Sequence, residues 1–246
     1  MKIAIASNVH PTAVGGLAAY QRELVAGLQS FNRINGESLS VQHLQMNQDD
    51  NSAALKRSRW GSQFASRGPL LRLADSLSRV MHHHPSWTLA VNTADVLHFI
   101  GTGSEITGHP LWREAREAEV PFTVWPALHP ENCAEEVFDM QLYQEAEAVF
   151  CQSDHERELL ISKGVAASRL IRCGLPPMCH PNGTGTRLRS KLGIGMRPVV
   201  LFVGRRDEGK GYPALLEAWP LVMRQCPDAV LLLAGPGDAD ESRIAK

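Results

Sequence analysis

PVVLFVGRRDEGKGYPALLEAW, residues 198–219, decides the reading of this chain. An apolar run, VVLFV, meets a glycine-rich loop that carries Arg205 and Lys210, and a helical pattern follows. A second apolar run, AVLLLAGPG at 229–237, comes ten residues later. Strand, glycine loop, helix and strand in that order make a βαβ unit, whose two strands run parallel. Two cations between a parallel strand and a helix amino terminus form a natural cradle for a diphosphate, because the free N–H groups of the helix add to the fixed charges. The competing reading is a solvated charged loop in which Arg206 pairs with Asp207 or Glu208 and Arg205 stays free.

Outward from this unit, short apolar runs alternate with helical patterns, which predicts an α/β fold with a mainly parallel sheet. KIAIAS (2–7), SVQHLQ (40–45), DVLHFIG (95–101), PFTVWPAL (121–128), EAVFCQS (147–153) and RLIRCG (169–174) read as strands. Leu17, Tyr20, Leu24 and Leu28 recur at helical spacing and predict a helix over about 17–28. A second helix is expected near 110–118. Ser153 or Asp154 caps another that runs to Lys163, with Gly164 as its stop. Pro220 should bend or end the helix that follows Lys210.

LPPMCHPNGTGT (175–186) holds three prolines and two glycines, too many for the interior of an element. The expected organisation is a first domain over 1–175, a linker over 176–196 and a second domain over 197–246. The second domain has only two strands and a helix before Lys246, so it reads as incomplete and as leaving apolar sheet surface uncovered.

Composition limits the alternatives. Of 246 residues, 43% are hydrophobic and 21% charged, as in soluble globular proteins, and the formal net charge is −1. That charge gives no global signal for nucleic acid. The first residues resemble a strand more than a secretory leader. No apolar run approaches the ~20 residues that span a bilayer. The five cysteines (Cys133, Cys151, Cys173, Cys179, Cys226) are odd in number and lack CxxC spacing, which predicts reduced thiols in a cytoplasmic protein and no zinc site.

Gly15 and Gly16 lie between the first strand and first helix, where the backbone can approach a ligand or simply turn. GxGxxG is absent, so Asp49 and Asp50 are weak mimics of a ribose-binding acid and a nicotinamide-dependent oxidoreductase is disfavoured. His129 follows a strand at its carboxyl end, the edge where open α/β sheets bind ligands. His82, His83 and His84 are consecutive and diverge on a helix, which is poor ligand geometry. Asp238 and Asp240 read as solvated. Residues 52–90 carry six basic residues and one acid, with Trp60 and Phe64 interleaved. That segment is either a peripheral membrane element or the solvated side of a packed helix bearing Leu70, Leu73, Leu77 and Met81.

With these pieces in order, the chain resembles the retaining glycosyltransferases of the GT-B fold, in the glycogen synthase-like group 1 (family 4) set. KIAIASN…GGLAAYQRELVAGL resembles that family's first strand, glycine loop and helix. VPFTVWPALHPE resembles its strand ending in a loop histidine, AEAVFCQSDHERELLISKGV…RLIRCGLPP its segment leading to the hinge, and PVVLFVGRRDEGKGYPALLEAW…LLLAGPG the start of its nucleotide-sugar domain. The resemblance implies a GT-B architecture: a complete amino-terminal Rossmann-like domain and the start of a second. It implies that Gly15 and Gly16 approach the donor phosphate or acceptor, that His129 hydrogen-bonds the donor sugar as the catalytic-site residue, and that Arg205 and Lys210 hold the diphosphate. The implied reaction moves a sugar from a nucleotide-sugar donor to an acceptor hydroxyl of a sugar, lipid or small molecule, with retention. No metal or cofactor is required, since the two cations replace it. The family's pair of glutamates eight positions apart is absent, and Asn182-Gly183 is the nearest match to its hinge. The expectation is therefore an enzyme family member with little or no activity as these 246 residues. The alternative is a non-enzymatic remnant or split subunit that binds an acceptor or a complementing chain.

Overall fold

The computed structural model describes residues 1–7, 12, 15–35, 39–45, 85–101, 108–126, 128, 137–175 and 183–237. The chain divides into two compact units, Met1–Met178 and Cys179–Lys246.

In the first unit six parallel strands form one sheet. They are β1 (Lys2–Ser7), β2 (Ser40–Gln45), β3 (Val96–Ile100), β4 (Phe122–Trp125), β5 (Ala148–Cys151) and β6 (Leu170–Arg172), in the order β2-β1-β3-β4-β5-β6. Ile3 aligns with Val96 and Ser7 with Ile100, while Leu97 aligns with Phe122. A strand between two others in a parallel sheet is buried on both faces, which is why KIAIAS is apolar almost throughout and buried from Ile3 to Ser7.

Side chains alternate between the two faces. Ile3, Ile5, Ile100 and Trp125 meet helix α1 (Gly16–Asn35) through Tyr20, Leu17, Leu24 and Leu28, the stripe read from the sequence. Ala4, Ala6, Leu97, Phe99, Val124 and Val149 form the other core with Trp87, Leu111, Trp112, Leu142, Tyr143 and Leu160. Those partners lie on α2 (Pro85–Asn92), α3 (Gly108–Glu117), α4 (Val137–Glu145) and α5 (Asp154–Ser162). Gly108 is required by contact: a Cβ there would lie 2.5 Å from Phe99 Cε1. Helix α4 was not expected, because apolar residues surround VFDMQLYQE without a single stripe. The stretch over 51–84, with the basic segment and the three consecutive histidines, lies outside the described residues.

His98 sits within this sheet. Its Nδ1 faces Thr123 Oγ1 at 2.9 Å on the neighbouring strand, and its ring meets Phe150 edge-on at 5.4 Å. Burial lowers the imidazole from an ordinary 6.5 to about 4. The unfolded chain therefore takes up this proton first. The contribution to stability is complete above about pH 6.5 and is lost as pH falls toward 4, a difference of roughly 3 kcal/mol. Thermal unfolding at pH 7 and pH 4.5 checks this: the wild type is expected to lose more stability on acidification than His98→Gln, which cannot titrate there.

The second unit contains α6 (Thr186–Leu192), β7 (Val199–Val203), α7 (Tyr212–Gln225) and β8 (Val230–Ala234). β7 and β8 are parallel, with Val199 aligned to Val230 and Val203 to Ala234. Helix α6 lies inside the stretch expected as linker. Gly185 and Gly193, both left-handed, bound seven residues of which Arg187, Leu188, Arg189, Lys191 and Leu192 are good helix formers. Helix α7 runs through Pro220 to Gln225. The ring removes one donor, but Leu215 N–H still reaches Gly211 O and Cys226 N–H reaches Val222 O, so the ladder is intact at both ends. Pro220 therefore does not end the helix.

Candidate functional site

In the first unit the strand order reverses between β1 and β3, and the carboxyl ends of those strands are where an open parallel sheet leaves a crevice. Buried Ser7 and Ile100 face each other there. The turn at Gly15 and Gly16 starts α1 beside them. Among the described residues, nothing lies within 4 Å of a Cβ built at either glycine. Gly15 has φ +153, which disfavours a side chain, and its carbonyl accepts the Ala19 N–H at 3.1 Å. Under this turn Tyr20 stacks on Trp125, with ring centroids 3.9 Å apart. Burial, then the neighbouring Cys173, raises the Tyr20 phenol well above its ordinary value.

His129 lies outside the described residues, as do Asp49, Asp50, Asp238 and Asp240. The residue before His129 is placed. Leu128 N–H donates to Glu156 Oε1 at 3.2 Å, and Gln152 N–H donates to Glu156 Oε2. Glu156 is buried at the start of α5, where Ser153 Oγ caps its N–H at 3.2 Å. One carboxylate thus ties the end of β4 to the start of α5. Sequence reading saw the Ser153 cap but not this role. The signal was there in Ser-x-x-Glu, a capping-box spacing.

Cys151, Cys173 and Cys226 are free thiols. Burial pushes Cys151 up to about 12, with Glu156 adding to the shift, and burial followed by Glu156 also raises Cys173. Neither is a ready nucleophile at neutral pH.

In the second unit, two loops lie backbone to backbone past the carboxyl ends of β7 and β8. Gly204 N–H donates to Ala234 O at 2.9 Å, and Arg206 N–H donates to Pro236 O at 2.9 Å. Only glycine fits at this crossing. A Cβ on Gly235 would lie 1.9 Å from Gly204 O, and one on Gly237 would lie 2.6 Å from Arg206 Cβ. A 3-10 turn over Glu208–Lys210 then leads through left-handed Gly211 into α7. The Lys210 side chain passes over the end of β7, with Cγ 3.9 Å from the Cβ position of Gly204. Arg205 and Lys210 therefore stand on the same loop, between the end of β7 and the amino terminus of α7.

The pairing that the sequence left open, Arg206 with Asp207 or Glu208 and Arg205 free, is not the one found. Arg205, not Arg206, pairs with Asp207, Nε to Oδ2 at 3.2 Å. Arg206 is pinned against Gly237 and Pro236, and its Nε is buried without a hydrogen-bond partner among the described residues.

A cavity of about 390 Å³ opens at the opposite edge of the first sheet, lined by Trp112, Arg116, Glu145, Glu147 and Arg169 among others. Its guanidinium groups are already engaged. Arg116 holds Glu145 at 2.9 Å, and Arg169 caps the end of α4 through the carbonyls of Glu145 and Ala146. That chemistry is structural.

The fold class these elements define is GT-B. HepE from Anabaena, in complex with UDP and glucose, matches with TM-score 0.58 at 14% identity, over 98% of this chain and 63% of its own. The UDP-GlcNAc 2-epimerase of Neisseria meningitidis, bound to UDP-GlcNAc, matches with TM-score 0.57 at 12% identity, over 95% of this chain and 65% of its own. In sequence, the phosphatidyl-myo-inositol mannosyltransferase of Mycobacterium tuberculosis is 53% identical over 45 residues, which is 18% of this chain and 12% of that protein. No family model matches the chain. The chain spans less than two thirds of the length of HepE, and the matched mycobacterial segment is a small part of that relative. The likeness to a glycosyltransferase in sequence is carried by those 45 residues, and the likeness in fold extends over nearly the whole chain. Among the described residues, no helix is long and apolar enough to cross a membrane.

Proposed function

We propose that this chain is part of a glycosyltransferase that moves a sugar from a nucleotide-sugar donor to an acceptor hydroxyl with retention at the anomeric carbon. The observation that carries the reading is the glycine-locked loop that presents Arg205 and Lys210 at the start of α7. A nucleoside diphosphate gains negative charge as its bond to the sugar breaks. Fixed cations and helix N–H groups at that point stabilise the transition state more than the ground state. Gly15 and Gly16 approach the donor phosphate or acceptor, His129 hydrogen-bonds the donor sugar, and no metal or cofactor is needed.

The fold alone does not separate transfer from epimerisation, since nucleotide-sugar epimerases share it. The 45-residue similarity to a mannosyltransferase favours transfer. That relative is named for a lipid acceptor, and the basic residues of 52–90 support contact with an anionic membrane surface on the cytoplasmic side. Product analysis tests the reading. UDP-, GDP- and ADP-sugars are incubated with the native polypeptide from its source and an acceptor extract, and products are followed by proton NMR, with residues 1–246 alone expected to turn over little or nothing. Release of nucleoside diphosphate with a product of unchanged anomeric configuration is expected. An epimerised sugar nucleotide without transfer would contradict it.

One observation favours a second reading, a split subunit. Leu201 and Val203 on β7 are 58% and 74% exposed, an apolar strand face that a partner segment would cover. Native mass spectrometry of the protein from its source tests this: a bound second polypeptide supports it, and donor turnover by a single chain excludes it.

A further inference from the structure

We infer that Asp207 is a positioning residue that sets both cations of the loop. The proposal rests on the diphosphate reading above. Three contacts converge on this residue. Its carboxylate holds Arg205 Nε through Oδ2 at 3.2 Å. Its carbonyl accepts the Lys210 N–H at 3.2 Å and the Tyr212 N–H at 3.4 Å, which closes the 3-10 turn and starts α7. The side chain plays no capping role, so the ion pair with Arg205 is its own function.

Stability does not explain that pair. Arg205 is 65% exposed and Asp207 41% exposed, and ion pairs in such settings contribute little to folding. An acid beside a diphosphate site also repels the ligand, so its presence needs a compensating gain. Geometry supplies one. A carboxylate on Nε leaves the terminal guanidinium nitrogens directed away from the acid, as the fork that binds phosphate oxygens. A free arginine would lose several rotamers on binding, and an arginine already held loses fewer. Oδ1 of Asp207 is buried without a hydrogen-bond partner among the described residues. With no hydrogen bond from Oδ1 to the guanidinium, both terminal nitrogens stay available to phosphate oxygens.

The test is a double-mutant cycle on the full chain, with inorganic pyrophosphate as probe and calorimetry as readout. Asp207→Ala is expected to weaken binding roughly five- to tenfold in the wild-type background. In the Arg205→Ala background it should weaken nothing, or tighten binding slightly, because only the repulsion is then removed. A merely structural role would lower affinity alike in both backgrounds, and that result overturns the proposal. So does an Asp207→Ala chain that binds as tightly as wild type while Arg205→Ala binds less tightly. If the wild-type chain binds no pyrophosphate, or Arg205→Ala has no effect, the diphosphate reading itself fails and takes the proposal with it. Each variant is first checked for cooperative thermal unfolding. Should Asp207→Ala not fold, Asp207→Ser, whose oxygen is too short to hold Arg205, makes the same comparison.

Discussion

Replacing Arg205 and Lys210 together by alanine is expected to weaken binding of a nucleoside diphosphate such as UDP by a factor of about 10² to 10⁴, with the fold unchanged. Each cation makes charge-assisted contacts worth about 1.5–3 kcal/mol, and a tenfold change in affinity is about 1.4 kcal/mol. Both side chains lie on an exposed loop, and Arg205 contributes only a surface ion pair to the folded state, so their loss should leave the melting temperature nearly constant. Arg205→Lys should fall between, because lysine cannot present two parallel N–H groups to phosphate. Calorimetric titration with UDP measures the first effect and thermal unfolding the second. Equal affinity in wild type and double variant would remove the site from this loop.

The second large effect is on folding. Gly235→Val should destabilise the second unit by about 3 kcal/mol or more and abolish UDP binding with it. A Cβ at 235 would lie 1.9 Å from a main-chain oxygen, and backbone cannot move aside as a flexible side chain can. The residue also has φ +137, which L side chains rarely adopt. Loss of this crossing separates Gly204 from Ala234 and Arg206 from Pro236, the two hydrogen bonds that fix the cation loop. Urea unfolding of the variant against wild type measures the cost. A variant at position 235 with wild-type stability and wild-type UDP affinity would show that the loop crossing is not what orders the site.

Much of this was legible in the sequence because it is local. KIAIAS and VVLFV are parallel strands and look it, since such strands carry apolar residues on both faces, although only KIAIAS has both faces covered while Leu201 and Val203 of VVLFV are exposed. Leu17, Tyr20, Leu24 and Leu28 repeat with the period of a helix lying on a sheet. Ser153 and Gly164 bracket α5 by capping chemistry that acts within one turn. What was missed depends on distant partners. Helix α4 buries the charged Asp139 on the same face as Leu142 and Tyr143, so the apolar pattern of its sequence is broken where the packing is not. Pro220 costs one hydrogen bond, which the rest of α7 tolerates. Arg206 and Arg205 are adjacent and chemically identical. Only the backbone crossing with Pro236 and Gly237 decides which of them is pinned and which reaches Asp207. The glycines of LAGPG read as a strand end, while their reason is a loop 31 residues earlier in the chain, Gly204 under Gly235 and Arg206 under Gly237.

The most direct measurement is an amide chemical-shift map of the isotope-labelled chain titrated with UDP. The loop account predicts the largest perturbations at Gly204–Tyr212 and at Gly235–Gly237. Saturable perturbations confined to other parts of the chain, with the 204–212 amides unmoved, would contradict it.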